Sequence, residues 1–478
     1  MRHSRLDHLT RGVLAASALA LPALAAPGTA GAQAFGLTEI GTCAVGRVGA
    51  GVGAPCEDAS RVFWNPAAAV RLPQEVSLLA GAAAIQLGGG FHQDTTGRFY
   101  EADSPLELVP HIFANYRVQR RFAVGFGVYV PYGLTSQWQD DFPGRFQALK
   151  ASLASIYVQP NFAFDVIPGR LAIGGGPVIG ISEVELIQAL DLSTVPLPGG
   201  AGTFGQLGIA PGTEFGLARL HGSDVEWGYN LGLHWQVANS LSLGARYLSE
   251  LAFKYNAAQA EFSQTSTGLI FGGAIPGAIP AGTPVDDLLR PQFQTGRLTE
   301  RTVYTQISHP AQAQVGIGFT GIPRTTVNLD YTWVDWSVFN ELPVDFSPAG
   351  GPPADLNGLD RVLLEDYEDS WAVRGSVDYA FGNGWTGRAG AGFARTPAPD
   401  VTVTPLLPDQ DRYNFGAGLS IPFGARYALD AGYWRVETAG RRGRIAERES
   451  RDQTAAQLNT GFYELNANVI SVSLKATW

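Results

Sequence analysis

From about Glu75 to the carboxyl terminus the chain runs in segments of ten or so residues in which apolar and polar side chains alternate, and a period of two permits little but β-strands. In one of the clearest, Trp371, Val373, Gly375, Val377, Tyr379 and Phe381 share one face, with Ala372, Arg374, Ser376, Asp378 and Ala380 on the other. The same split sets Trp227, Tyr229, Leu231, Leu233 and Trp235 against Gly228, Asn230, Gly232, His234 and Gln236, and Val327, Leu329, Tyr331 and Trp333 against Asn328, Asp330 and Thr332. A soluble sandwich also alternates, but its apolar face is rarely capped by Trp and Tyr at the strand ends. Aromatic girdles at two interfaces fit a wall that faces lipid.

Fourteen such segments begin near Glu75, Leu106, Phe122, Ser152, Leu171, Asp224, Leu241, Arg301, Arg324, Asp369, Trp385, Arg412, Tyr427 and Phe462. Their connections alternate in length: residues 119–121, 168–170, 238–240, 321–323, 382–384 and 422–425 are tight, and every intervening one is longer. An even strand count with short turns at one end and long loops at the other predicts an all-β fold, a 14-stranded antiparallel transmembrane β-barrel of the outer-membrane kind with both termini periplasmic. The last segment sets Ile470, Val472, Leu474, Ala476 and Trp478 against Ser471, Ser473, Lys475 and Thr477 and stops on the aromatic residue. Barrel-assembly machinery recognises such an ending, so that machinery is an expected partner, together with outer-membrane lipid and lipopolysaccharide.

Spanning helices are excluded by a mean hydropathy of +0.02 and by the lack, after the amino terminus, of any stretch of about 18 charge-free apolar residues. At the amino terminus Arg2, Arg5 and Arg11 precede an apolar run over residues 13–26 and then Ala32-Gln33-Ala34. That order describes a secretory signal peptide, residues 1–34, cut near Ala32 or Ala34. An anchor would need roughly 20 apolar residues. Removing the leader takes away three Arg and one Asp and moves the net charge from -10 to -12, which argues against a nucleic-acid partner. Cys43 and Cys56 are the only cysteines. In the oxidising compartment that the leader implies, they can pair as a disulfide or stay as buried thiols; zinc would want more ligands.

A ring of fourteen strands leaves a lumen, since about eight already fill themselves with side chains. Residues 35–74 carry Gly36, Gly41, Gly46, Gly49, Gly51 and Gly53 and do not alternate, so they are the candidate plug, with the barrel over residues 75–478. Their order, beginning Ala34-Phe35-Gly36-Leu37 with Glu39 and ending Asn65-Pro66-Ala67, resembles the plug of the FadL/TodX family of outer-membrane transporters. Pro131-Tyr132-Gly133-Leu134, Asp330-Tyr331 with Asp335-Trp336-Ser337, and Pro397 through Leu407-Pro408-Asp409 with Asp411-Arg412 also look like motifs of that family. The resemblance extends over the whole mature chain.

It implies passive uptake of small hydrophobic ligands, long-chain fatty acids or aromatic hydrocarbons, gated by the plug near Phe35 and Leu37. It also implies a kink in the third strand that opens a lateral path to the bilayer. Proline removes a ladder donor and glycine weakens a strand, so Pro131, Tyr132 and Gly133 mark such a kink, or else the end of the strand. Asn65 and Pro66 suit the cap and first position of a short helix over Ala67–Ala69, with a plug role or direct ligand contact both open. Two long outer connections, residues 188–223 and 255–300, stand out. The second is unusually apolar, with Leu269, Ile270, Phe271 and Ile275, and is either a ligand-capturing groove or a self-packed lid.

Catalysis finds no support. His92, His111, His221, His234 and His309 fall in no metal spacing, there is no G-x-S-x-G elbow, and no cofactor or metal is expected. The inward charges Arg246, Arg374 and Asp378 are expected to pair with one another. A general porin for polar solutes and a surface adhesin or phage receptor are the rival functions.

Overall fold

The computed structural model describes residues 34–197, 202–273, 279–346, 361–443 and 460–478. Apart from Ala34, the expected leader lies outside the described residues.

Fourteen long strands follow one another around a ring. They are β1 (Val76–Gln93), β2 (Glu107–Gln119), β3 (Phe122–Tyr129, resuming as Gly133–Gln137), β4 (Lys150–Ile167) and β5 (Leu171–Asp191). Next come β6 (Glu214–Ala238), β7 (Leu241–Leu248, resuming as Leu251–Gln264), β8 (Arg301–His309, resuming as Gln312–Ile322) and β9 (Thr325–Val334). The ring ends with β10 (Ser370–Ala380), β11 (Thr386–Ala394), β12 (Arg412–Phe423), β13 (Tyr427–Thr438) and β14 (Gly461–Thr477). Neighbours pair antiparallel, and β14 returns to β1 from Gly461 opposite Gln93 to Thr477 opposite Ser77. A sheet closed in this way satisfies its backbone without water, which is the condition for crossing a bilayer with strands.

The wall is inverted relative to a soluble protein. Its outward side chains are apolar and solvent-facing, as at Trp227, Leu231, Trp235, Leu329, Val377 and Ile470. The alternate positions that face inward are polar and buried, as at Asn230, His234, Asn328, Asp330, Arg374 and Asp378. A surface of that kind is stable against lipid and not against water.

One strand departs from the expected set. β6 begins at Glu214, ten residues before the expected Asp224, and pairs with β5 along that whole extension. Above Val225 its outward positions turn to Ser223, His221 and Arg219, so the lipid-facing alternation stops while the ladder continues. The outer connections are correspondingly shorter than expected. β5 reaches Asp191, β7 reaches Gln264, and the second connection contains a helix at Val285–Gln294.

Residues 34–72 lie within the ring. A short helix, α1 (Thr42–Gly46), packs on β11–β14, and after α2 (Arg61–Trp64) a 3-10 turn at Pro66–Arg71 packs on β3–β6, so the segment crosses the lumen from one arc to another. Glycine makes the fit possible on both sides of the contact. A Cβ on Gly53 would stand 2.5 Å from the Gly318 nitrogen, and one on Gly244 would stand 1.9 Å from the Val52 carbonyl oxygen. Cys43 and Cys56 are joined by a disulfide with a Cα–Cα distance of 6.3 Å.

Candidate transport site

β3 stops at Tyr129, turns through residues 130–132 and resumes at Gly133. The first half pairs with both β2 and β4, but the second half pairs with β4 alone. Opposite it, residues 107–111 of β2 keep their ladder to β1 and have no backbone ladder on the β3 side. Pro110 stands in that stretch, where the missing N–H costs nothing to a strand edge. The amino-terminal residues take up the bonds the kink gives away: Leu37 N donates to Pro131 O at 2.7 Å, and Gly133 N donates to Phe35 O at 2.8 Å.

These two bonds place Phe35 in an aromatic nest. Its ring centroid lies 4.7 Å from Trp336, 5.1 Å from Phe339, 5.8 Å from His309 and 6.0 Å from Tyr132. Beside Phe35 is a cavity of about 60 Å³ walled by Leu134, Leu153, Leu186, Ile307 and Leu342. A second cavity of about 70 Å³ begins at Ala34, and Leu134 and Leu407 border both. Leu37 packs with Ile85, Val130 and Val436. The arrangement offers an apolar ligand a greasy surface bordered at the amino terminus by Phe35.

Beneath this apolar layer the segment is held by polar bonds to inward-facing side chains. Asp330 Oδ2 accepts from Gly51 N at 2.6 Å, Val52 N at 2.8 Å and Gln314 Nε2 at 2.9 Å. Arg47 Nε donates to Asp378 Oδ1 at 2.8 Å, and Arg388 Nε lies 3.3 Å from Asp378 Oδ2. The expected mutual pairing of Arg246, Arg374 and Asp378 is therefore corrected. Asp378 is taken by Arg47 from the inner segment, Arg246 donates to Gln312 at 2.8 Å and lies over the Phe63 ring at 4.3 Å, and Arg374 donates to Thr332 at 3.1 Å. Sequence alone does not show these pairings, because Arg47 is far from Asp378 in the chain and the lumen brings them together.

Asn65 precedes the 3-10 turn and Pro66 opens it, but the Asn65 side chain makes no capping bond. It donates instead to Val52 O at 2.8 Å and Leu233 O at 3.1 Å, tying two parts of the inner segment to β6. Capping is thus corrected to cross-linking: the carboxamide nitrogen donates to two carbonyls, and the side chain gives the turn no cap. Neither Asn65 nor Pro66 borders the cavity beside Phe35. In the outer connection, Leu269 and Phe271 pack against a small core of Leu192, Phe204, Phe215, Val285 and Leu289, while Ile270 is 65% exposed. Ile275 lies outside the described residues. Where this connection meets β7, Asp286 accepts from Ser266 Oγ at 2.6 Å and from Thr267 N at 2.9 Å. Slight burial pushes its carboxyl upward, but these bonds outweigh it and hold the group below the ordinary carboxylate range.

A family model described as outer membrane protein transport protein (OMPP1/FadL/TodX) matches residues 23–478. The chain belongs to that family. Among relatives of the OMPP1/FadL/TodX family, a 47 kDa outer membrane protein of Pasteurella multocida is 26% identical over 442 residues, which are 89% of this chain and 91% of that protein. The long-chain fatty acid transport protein of Escherichia coli K12 is 23% identical, over 81% of this chain and 84% of its own length. The barrel also superposes on a Pseudomonas aeruginosa FadL homologue with a TM-score of 0.73 at 21% identity, covering 93% of this chain and 99% of that one. On the Pseudomonas putida toluene transporter TodX the TM-score is 0.62 at 15% identity, covering 92% and 99%. The likeness to these structures is one of fold. Membership fixes an outer-membrane barrel of a transport family.

Proposed function

We propose that this protein is a passive outer-membrane channel for small hydrophobic molecules, long-chain fatty acids or aromatic hydrocarbons, closed at rest by residues 35–74 acting as a plug. The observation that carries this reading is the coincidence of three things at one point: an apolar cavity, an amino-terminal residue, Phe35, that borders it, and an interruption in the wall beside it. Relatives named for fatty-acid transport and for toluene transport support the same substrate range.

In this scheme ligand gathers on the outer connection around Leu269, Ile270, Phe271 and Ile275, enters beside Phe35 and Leu37, and displaces them. It then leaves sideways past Pro131, Tyr132 and Gly133 into the bilayer, so that it never has to cross the polar outer leaflet. Asn65 and Pro66 belong to the seat of the plug, and the Cys43–Cys56 disulfide staples it. The outer face meets lipid and lipopolysaccharide, and the strand ending at Trp478 is the handle for barrel assembly. No residue is assigned a catalytic role.

The test is uptake of labelled oleate and of labelled toluene by cells lacking their own transporter and expressing the folded protein. Saturable uptake of either one above the empty-vector control is expected. A folded barrel that takes up neither, yet conducts ions steadily, would replace this reading with that of a general porin.

A further inference from the structure

Three strands of the wall are interrupted, and the interruptions meet. β3 breaks at residues 130–132, β7 at 249–250 and β8 at 310–311. The breaks in β7 and β8 are opposite one another, since Leu248 pairs with Gln312 and Leu251 with His309. Pro310 and the bend around it leave a carbonyl free of the ladder. Tyr132, at the kink of β3, reaches across the lumen to this joint. Its hydroxyl donates to Pro310 O at 2.5 Å and accepts from Gln312 Nε2 at 2.8 Å, and its ring lies 4.7 Å from His309. The residue is fully buried, so both bonds are made out of water.

We infer that Tyr132 is a positioning residue for the lateral path: its hydroxyl latches the kink of β3 to the broken joint of β8 and so holds the gap beside β2 open. This rests on the proposed lateral exit. Two other ties act on the kink. Ser155 donates to Tyr132 O, but Ser155 sits on β4, which follows β3 through the kink and does not draw it inward. The bonds to Phe35 and Leu37 do draw it inward, but they are made by the residues that ligand has to displace. Once those leave, the tyrosine hydroxyl is what keeps residues 130–133 from swinging back to the unpaired edge of β2 at residues 107–111, where backbone donors and acceptors await a partner. The latch thus separates two events, release of the amino terminus and closure of the wall, that would otherwise coincide.

The experiment compares the full-length barrel with Tyr132→Phe, Gln312→Ala and the double variant, each checked for folding by heat-modifiable migration in gels. Tyr132→Phe keeps the ring packing and deletes only the latch. Two readouts are taken: oleate and toluene uptake by cells, and hydrogen exchange of the purified barrel over residues 104–111. The maximal uptake rate is expected to fall about fivefold, the population change that one lost hydrogen bond of ordinary strength produces, with the half-saturating concentration unchanged. Exchange over residues 104–111 slows as β2 regains a neighbour, and the double variant is no worse than Tyr132→Phe. Unchanged exchange in Tyr132→Phe, or single effects that multiply in the double, overturns the latch. Slowed exchange in a protein whose wild type carries neither ligand upholds the latch and rejects the proposed function, so the two failures are told apart.

Discussion

Replacing Arg47 by methionine removes the ion pair that anchors the inner segment to the wall while keeping most of the side chain's volume. Arg47 and Asp378 expose only 5% and 10% of their side chains. The arginine also donates to Ala54 O at 2.8 Å. Removing one member of a buried pair costs about 3–5 kcal/mol, because the other charge is left without its counter-ion. Here Arg388 remains 3.3 Å from Asp378, which places the cost at the lower end, about 3 kcal/mol. That free energy bears on the equilibrium between seated and unseated segment, and it shifts the ratio about a hundredfold toward unseated. In planar bilayers the purified wild-type barrel is expected to open rarely, and Arg47→Met about a hundred times more often. Adding Asp378→Asn removes the orphaned carboxylate and returns part of the closure, since the loss lies in the unpaired charge and not in the pair. An Arg47→Met barrel as silent as wild type, or a double variant that leaks more than the single one, would refute the anchoring role.

Leu407→Trp places bulk on the partition between the two apolar cavities and is expected to abolish oleate uptake while sparing part of toluene uptake, read by competition between the two labels. Cys43→Ser with Cys56→Ser opens a loop of sequence separation 13 and is expected to lower the stability of the inner segment by about 3 kcal/mol. The readout is faster hydrogen exchange over residues 42–64 in an otherwise intact barrel. Asp286 has a depressed pKa, so its contribution is present above the ordinary carboxylate range and is lost as pH falls through the folded value. Hydrogen exchange over Val285–Gln294 is expected to speed up on acidification, and Asp286→Asn to show no such step.

The wall was legible because lipid imposes a simple rule on it. Outward positions such as Leu231 and Val377 must be apolar, the inward ones need not be, and the period of two survives in sequence. Thirteen strands accordingly begin within two residues of where the pattern places them. β6 runs longer than the pattern marks it because its outward positions above Val225, Ser223, His221 and Arg219, are polar and carry no alternation to read. The inner segment was legible as an exception to the alternation and by its glycines, but not in its bonds. Asp330 accepting from Gly51 and Val52, or Arg47 meeting Asp378, are contacts that only closure of the ring creates. Pro131 and Gly133 pointed to the interruption of β3. Two further prolines carried a readable signal that the strand pattern hid: Pro110 marks the unpaired edge of β2, and Pro310 marks the joint of β8.

The position of the disulfide dictates an order of manufacture. Cys43 and Cys56 are 3% and 5% exposed and lie inside a wall that is sealed when β14 pairs with β1. Thiol–disulfide exchange needs a thiolate that an oxidant can reach, and burial inside the finished barrel hinders that approach. The staple is therefore expected to be set while the chain is still in the periplasm, the wall then being built around a part already complete. In a pulse-chase experiment the cysteines should resist alkylation before the heat-modifiable barrel appears. Cells without a periplasmic oxidase should accumulate barrels whose thiols stay reduced even after oxidant is added from outside.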